Sequence, residues 1–256
     1  MSLKTTPWIV GGRLNPHARC RLFCLPHSGS GASQFSSWKN FLPPSLDICP
    51  IQLPGRENRL REAPFTQICP IAENLARELE PYLDRPYILY GYSLGALIAF
   101  ELARQLRRQN ADPPVSLYAL ARPAPHLAQT KHPLRQLPDD IFVAELSRRY
   151  NGMSPLILQD QELMQLLLPT LRADFTAVET YVYQEDPPLD CPIHAFGGNL
   201  DATTTEDELR AWRLHTNRPF ELKIFQGDHF FIRTNQQSVF KSIAAQIPEL
   251  SGSKKQ

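Results

Sequence analysis

The sequence predicts an α/β fold in which a mostly parallel central sheet carries helices on both faces. Short runs rich in β-branched and aromatic residues alternate along the chain with segments of helical periodicity, which is typical of strand–helix–strand units. One segment, from about residue 124 to residue 190, is too long for an ordinary crossover and is predicted to be an insertion. The length of 256 residues suits one large domain, although two small domains would also fit it. We expect a single domain over residues 1–256.

Six segments have the composition of buried strands, and they cover residues 19–25, 46–53, 86–90, 115–121, 192–196 and 220–225. A helix is predicted over residues 71–83, because Ile71, Leu75 and Leu79 fall on one face. Two more helices are predicted, one from Ser93 to a basic turn at residues 104–108 and one over residues 236–247. The polar tail, residues 251–256, is expected to be disordered.

The apolar spacing within the insertion predicts three helices. They cover residues 138–150, residues 159–168, and a stretch that begins after Pro169. Such an insertion is either a small helical subdomain with its own core or a mobile lid over a site, and the two interpretations are compatible.

The composition argues against several functional classes. Lys and Arg total 27 against 26 Asp and Glu, so no basic field is available to attract nucleic acid or an anionic membrane. No apolar run approaches the ~20 residues of a membrane helix. The five cysteines form no Cys-x-x-Cys pair, and their odd number in a chain without a secretory leader indicates reduced thiols in the cytoplasm. We expect no metal and no cofactor.

The stretch Gly91-Tyr92-Ser93-Leu94-Gly95 follows the third predicted strand and opens a helix. This placement favours a nucleophile elbow over a structural glycine turn, because the sharp turn leaves no room for a Cβ two residues before or after the serine. The amide of Leu94 lies at the helix N-terminus without a helical partner, so it can stabilise an oxyanion. Ser93 is therefore the candidate nucleophile.

A serine nucleophile needs a histidine base, and the base needs an orienting acid. His229 lies just beyond the last predicted strand, at the sheet edge where Ser93 emerges, and is the candidate base. The acid should follow a strand that lies between the two in sequence, and Asp201 does so. The weaker alternatives for the acid are Asp190, Glu206 and Asp228.

The second amide of an oxyanion hole usually comes from the loop after an earlier strand. Residues 26–31, Pro-His-Ser-Gly-Ser-Gly, follow the first predicted strand and can bring backbone amides close to Ser93. A phosphate-binding loop is the competing interpretation. It is disfavoured because the third glycine of a dinucleotide fingerprint and the Gly-Lys-Ser/Thr of a P-loop are both missing.

Together these motifs resemble those of the stand-alone, or type II, thioesterases that accompany non-ribosomal peptide and polyketide synthases. RLFCLPHSGSGAS resembles the family's strand and oxyanion loop, IQLPGRENRL its next strand and loop, YGYSLGALIAFELA its elbow, and FGGNLDATTT with GDHFFI its acid and base. The resemblance covers nearly the whole chain, and QLPGRE separates it from general lipases and esterases. It implies an α/β-hydrolase fold with a helical lid inserted after the sixth strand.

Carried over position by position, the resemblance implies that Ser93 is the nucleophile, His229 the base and Asp201 its orienting acid. It also implies an oxyanion hole formed by the amides of Ser28 and Leu94. The chain departs from the family where paired glycines are usual in the oxyanion loop, since residues 28–31 read Ser-Gly-Ser-Gly. The residues expected to contact the substrate are His27, Leu163, Leu167 and Phe175.

The resemblance further implies hydrolysis of acyl thioesters on the phosphopantetheine arm of carrier proteins, in an editing role that clears aberrant or stalled acyl groups. Carrier domains are the expected transient partners, and the chain is expected to be a monomer. Arg56 either contacts the carrier or its arm, or forms a structural ion pair. Three rival functions stay open: a small-ester hydrolase, an acyltransferase and a non-catalytic carrier-binding protein.

Overall fold

The structure is a computed structural model that describes residues 6–10, 14–128, 132–150 and 160–247. Its centre is one six-stranded sheet in the order β2-β1-β3-β4-β5-β6, with every neighbouring pair parallel. The strands are β1 (Cys20–Leu25), β2 (Leu46–Pro50), β3 (Tyr87–Tyr92), β4 (Ser116–Leu120), β5 (Ile193–Gly198) and β6 (Phe220–Phe225). All six predicted strands are confirmed, because strands buried on both faces read as continuous apolar runs.

Helices cover both faces of this sheet. They are α1 (Ile68–Leu79), α2 (Leu94–Arg108), α3 (Asp139–Tyr150), α4 (Gln161–Glu179), α5 (Glu206–Arg210) and α6 (Ile232–Ala244). The prediction placed α1 too late, at 71–83. The helix ends at Leu79, and a 3₁₀ turn that contains Pro81 follows it. The last helix likewise begins before the predicted residue 236.

The core lies in two layers, one on each side of the sheet. Along β1, Phe23 and Leu25 face the layer formed with α1 and α2. Leu22 and Cys24 point to the opposite layer, where they join Trp38 and the apolar side of α6. This alternation is the period of two expected for a strand, and it fixes which face each helix must cover.

The segment between β4 and β5 contains α3 and α4, as the expectation of a helical insertion requires. Within the described sheet, which begins at Cys20, the insertion follows the fourth strand, β4, as its predicted bounds of residues 124–190 require. The sixth strand named in the resemblance is a count in the family's fold. The prediction of two helices separated at Pro169 is wrong, because α4 runs through this proline. Apolar residues on both sides of Pro169 pack into one cluster, and this packing holds the helix together although proline lacks the backbone N–H. The cluster contains Leu134, Phe142, Leu146, Leu167, Leu168, Leu171 and Phe175.

Some expectations concern residues outside the described ranges. The start of the predicted helix at residue 159 and the tail at 251–256 both lie there. Among the helices that are described, none is long and apolar enough to span a membrane.

Candidate active site

Ser93 occupies the turn between β3 and α2, in a backbone conformation with φ of 52° and ψ of −109°. Positive φ is uncommon outside glycine and is typical of strained functional positions. A Cβ on Gly91 would lie 2.2 Å from the carbonyl oxygen of Gly95, and a Cβ on Gly95 would lie 2.2 Å from the carbonyl oxygen of Leu25. Both glycines are therefore required for the turn that presents Ser93.

His229 and Asp201 meet at the carboxyl edge of the sheet. Asp201 follows β5, His229 follows β6, and Nδ1 of His229 lies 2.8 Å from Oδ2 of Asp201. Both side chains are buried. Thr203 adds a hydroxyl that donates to Oδ1 of Asp201 over 2.6 Å and lies 3.0 Å from Nδ1 of His229. The hydroxyl of Tyr92 donates to the carbonyl of His229, which fixes its backbone to β3.

The carboxylate of Asp201 is held in its ionised form. Burial alone would raise the pKa of Asp201, but the hydrogen bonds and charge of His229, together with the bonds from Thr203, outweigh burial and lower it. An ionised Asp201 accepts the Nδ1–H of His229, which leaves Nε2 of the same ring as the basic nitrogen.

The other carboxylates considered for the acid have different partners. Asp190 pairs with Arg218, and Glu206 pairs with Arg210. Oδ1 of Asp228 accepts the amide of Phe230, so its role is to shape the turn.

The two residues predicted for the oxyanion hole, Ser28 and Leu94, take different positions. Ser28 lines the same pocket as Ser93 and His229, whereas Leu94 is buried as the first residue of α2. Neither amide donates a hydrogen bond to another residue in the described ranges. Nδ1 of His27 lies 3.0 Å from the carbonyl oxygen of Ser28. Burial lowers the pKa of His27 to about 4, so the ring is neutral at pH 7 and donates this bond.

The pocket above Ser93 has a volume of about 210 Å³ and is partly open. Of the residues predicted to contact a substrate, His27, Leu167 and Phe175 line it. Leu163 is not a lining residue. It lies one turn before Leu167, in the first turn of α4, where its amide donates to Asp160.

Leu171, one of the apolar residues of the insertion expected to offer a slot for the acyl group, also lines the pocket, whereas sequence reasoning missed Leu146, Tyr150 and Phe230. Phe230 was detectable, since it follows His229 directly and its ring packs 5.1 Å from the imidazole. Leu146 and Tyr150 gave no signal, because helical periodicity does not reveal which neighbour an apolar face will meet.

Arg56 forms a buried ion pair with Asp174 of α4. Nη1 and Nη2 donate to the two carboxylate oxygens over 2.8 and 2.7 Å, in the two-pronged geometry that guanidinium and carboxylate groups favour. The structure therefore contains the structural ion pair that was one of the two interpretations of Arg56.

Within the described ranges, no cluster of three or more His, Cys, Asp or Glu side chains is suited to a metal ion.

Comparison with known proteins identifies close relatives over almost the whole chain. The family model described as "Thioesterase domain" matches residues 20–247. Gramicidin S biosynthesis protein GrsT from Aneurinibacillus migulanus is 43% identical over 94% of this chain and 93% of its own length. Linear gramicidin dehydrogenase LgrE from Brevibacillus parabrevis is 38% identical over 94% of this chain and 92% of its own. The structure of the type II thioesterase BorB from the borrelidin biosynthetic cluster matches with a TM-score of 0.84 and 35% identity, covering 95% of this chain and 97% of BorB.

Proposed function

This chain belongs to the thioesterase family, and from that membership we propose that it edits acyl thioesters on carrier proteins with Ser93, His229 and Asp201 as its catalytic residues. Thioester hydrolysis follows from the family. The catalytic roles, the carrier-bound substrate and the editing task are the proposal. The observation that carries it is the buried Asp201–His229 pair at a pocket shared with Ser93.

In the proposed reaction, Oγ of Ser93 attacks the thioester carbonyl while Nε2 of His229 takes its proton. The negative oxygen accepts hydrogen bonds from the amides of Ser28 and Leu94. The C–S bond then breaks, and the thiolate receives the proton from His229. Water attacks the resulting ester of Ser93, His229 takes a proton from the water, and the carboxylic acid leaves as Ser93 regains its hydrogen. Asp201 holds the imidazole in its orientation throughout.

The size of the pocket favours short acyl groups. Its volume of about 210 Å³ lies below the roughly 300–1,000 Å³ of sites for drug-sized ligands. Its walls are mainly apolar, with contributions from both helices of the insertion, Leu146 on α3 and Phe175 on α4. We therefore include in the proposal a substrate whose short apolar acyl chain lies under the insertion. The insertion acting as a mobile lid stays a prediction.

Carrier domains are the transient partners that we propose. The names of two relatives support this, since GrsT is named for the biosynthesis of gramicidin S and BorB for the borrelidin biosynthetic cluster. A cytoplasmic location and a monomeric state belong to the same proposal. The location is supported by five cysteines without a disulfide, all of them in the described ranges.

The deciding experiment loads a carrier domain with acetyl, butyryl or octanoyl groups and follows the release of pantetheine thiol. We expect wild type to release the thiol and Ser93→Ala to match the uncatalysed rate. Ser30→Ala serves as the control and should stay active, because the hydrogen bonds that the structure shows for Ser30 are made by its backbone. Equal rates from wild type and Ser93→Ala would reject the mechanism, a preference for free esters would favour a small-ester hydrolase, and transfer to an added amine in place of water would favour an acyltransferase.

The name of LgrE suggests a dehydrogenase as a second function, but the loop after β1 argues against it. A dinucleotide fingerprint places its glycines at the N-terminus of a long helix, whose amides bind the pyrophosphate. Here Gly31 is followed by a single 3₁₀ turn, Ala32–Phe35. The amide of Gly29 is already used by the carboxylate of Asp174.

A further inference from the structure

The peptide between Ser28 and Gly29 is held at both ends. Its carbonyl oxygen lies 3.0 Å from Nδ1 of the neutral His27, which donates to it. Its N–H donates to Oδ2 of Asp174 over 2.7 Å. Because a peptide group is planar, bonds at its two ends fix the rotation of the whole unit. The bond from the His27 ring to the carbonyl of Ser28 also closes a ring of atoms that contains the preceding peptide, so the N–H of Ser28 is restrained as well.

Asp174 comes from the insertion, and Arg56 holds it in place. The two side chains are almost fully buried, with 2% of Asp174 and 5% of Arg56 exposed. Nη1 of Arg56 also donates to the carbonyl of Ser30 over 3.1 Å. One carboxylate and one guanidinium thus grip the loop at Gly29 and at Ser30. In addition, a side chain on Gly29 would collide with Leu171, which lies on α4 like Asp174.

Stability alone does not explain this pair. Replacing a buried ion pair by apolar residues of similar volume is often neutral or stabilising, because both charges lose their hydration. An apolar residue cannot accept the N–H of Gly29, however. The carboxylate therefore fixes the backbone of the loop by a hydrogen bond that apolar packing could not supply.

We propose that Asp174 is a positioning residue for the oxyanion hole: it holds the Ser28–Gly29 peptide so that the amide of Ser28 faces the thioester oxygen, with Arg56 fixing the carboxylate. This role rests on the proposed thioesterase function. It makes helix α4 of the insertion part of the catalytic geometry, in addition to its place in the pocket wall.

The test compares three variants on the full chain. Asp174→Asn removes the charge, Asp174→Glu keeps the charge but moves the carboxylate by one methylene, and the double variant Arg56→Met/Asp174→Leu removes both charges and retains bulk. Each is assayed for kcat and KM on an acyl-carrier substrate. Each is also assayed for the affinity of an alkyl boronic acid, which adds to Ser93 and places an oxygen where the oxyanion forms.

We expect kcat to fall about 10- to 100-fold in every folded variant, with KM within about threefold of wild type. The boronic acid should lose affinity by a similar factor. The matched control is Glu101→Gln, which breaks the equally buried Glu101–Arg104 pair but leaves the loop contacts intact. It should lower the melting temperature without lowering kcat.

The double variant and Asp174→Glu decide the question if Asp174→Asn does not fold. Wild-type kcat and boronic acid affinity in either of these folded variants would overturn the positioning role and leave the proposed function intact. The proposed function fails separately, if wild type shows no thioester hydrolysis that depends on Ser93.

Discussion

The ring of Tyr150 stands edge-on to the imidazole of His229, with 4.9 Å between their centroids and an angle of 75° between their planes. Tyr150 is the last residue of α3, and its ring also packs 5.7 Å from Phe175 of α4. The insertion therefore contacts the proposed base directly. The ring of Tyr150 thus contributes to the burial of the imidazole, which is 4% exposed.

Removing the ring of Tyr150 should impair the base. We expect Tyr150→Ala to lower kcat about 10- to 100-fold, because an imidazole with a free side can rotate away from Ser93. Tyr150→Phe keeps the contact and should stay within about threefold of wild type. Steady-state hydrolysis of an acyl-pantetheine measures both. If Tyr150→Phe were as slow as Tyr150→Ala, the hydroxyl rather than the ring would matter.

The pair of Asp201 and Thr203 should show graded effects on the same base. Asp201→Asn should lower kcat by about 10⁴, because an amide favours the wrong tautomer of His229. Thr203→Val removes the hydroxyl bond to Asp201 but retains the bond from the backbone amide to the same oxygen. We expect kcat of this variant to fall about tenfold, which corresponds to the loss of one hydrogen bond to a charged group. Near-normal kcat in Asp201→Asn would reject Asp201 as the acid.

The acyl chain preference should respond to Leu167 and not to Leu163. These residues lie one turn apart on α4, but only Leu167 lines the pocket. Leu167→Ala should raise kcat/KM for octanoyl relative to acetyl substrates about tenfold, since a few methylenes of added room carry this much discrimination. Leu163→Ala is the matched control. An equal shift in both variants would mean that the chain does not lie where we propose.

Two glycines in strands should differ in their tolerance of a methyl group. Gly91→Ala meets backbone atoms of the elbow and should lower the free energy of unfolding by more than about 3 kcal/mol. Gly197→Ala meets only the end of the Leu209 side chain, which can move, so about 1 kcal/mol or less is expected. Urea unfolding compares the two. Equal losses would contradict the crowding at Gly91.

Buried histidines should make the protein less stable in mild acid. Burial, with smaller contributions from His126 and Arg104, lowers the pKa of His215 to about 4. A histidine in the unfolded chain titrates near 6.5, so the unfolded state binds more protons between pH 6.5 and 4. The free energy of unfolding therefore falls as the pH is lowered through this window, by about 1.4 kcal/mol per pH unit for one such group.

His215→Phe tests this effect through the pH dependence. An aromatic ring preserves the contacts with Phe100 and Trp212, and the loss of the bond between His215 and His126 shifts stability at every pH. Between pH 6.5 and pH 5, wild type should lose about 2 kcal/mol more than the variant. Above pH 7 the two stability curves should run parallel, since both states are then deprotonated at this position. Parallel curves down to pH 5 would show that His215 takes up its proton equally in both states.

Sequence was sufficient wherever the chemistry is local. The strands were visible as apolar runs, and the elbow at Ser93 was visible because its glycines stand two residues away on either side. The partner of Arg56 was not visible, since Asp174 lies 118 residues further along the chain. The continuity of α4 through Pro169 was missed for a related reason: packing on the insertion core outweighs the local cost of proline. Periodicity likewise suggested both Leu163 and Leu167 without distinguishing which one meets the pocket.

Because Leu171 packs against Gly29, Leu171 and Leu146 differ in how freely they can change to fit a new substrate. Leu171 touches the loop beside Ser93 as well as the pocket, so replacing it alters turnover and chain preference together. Leu146 lines the pocket from α3 and packs within the insertion. Natural variation or laboratory selection for other acyl groups can therefore proceed at Leu146 at little catalytic cost, whereas Leu171 is constrained by both tasks.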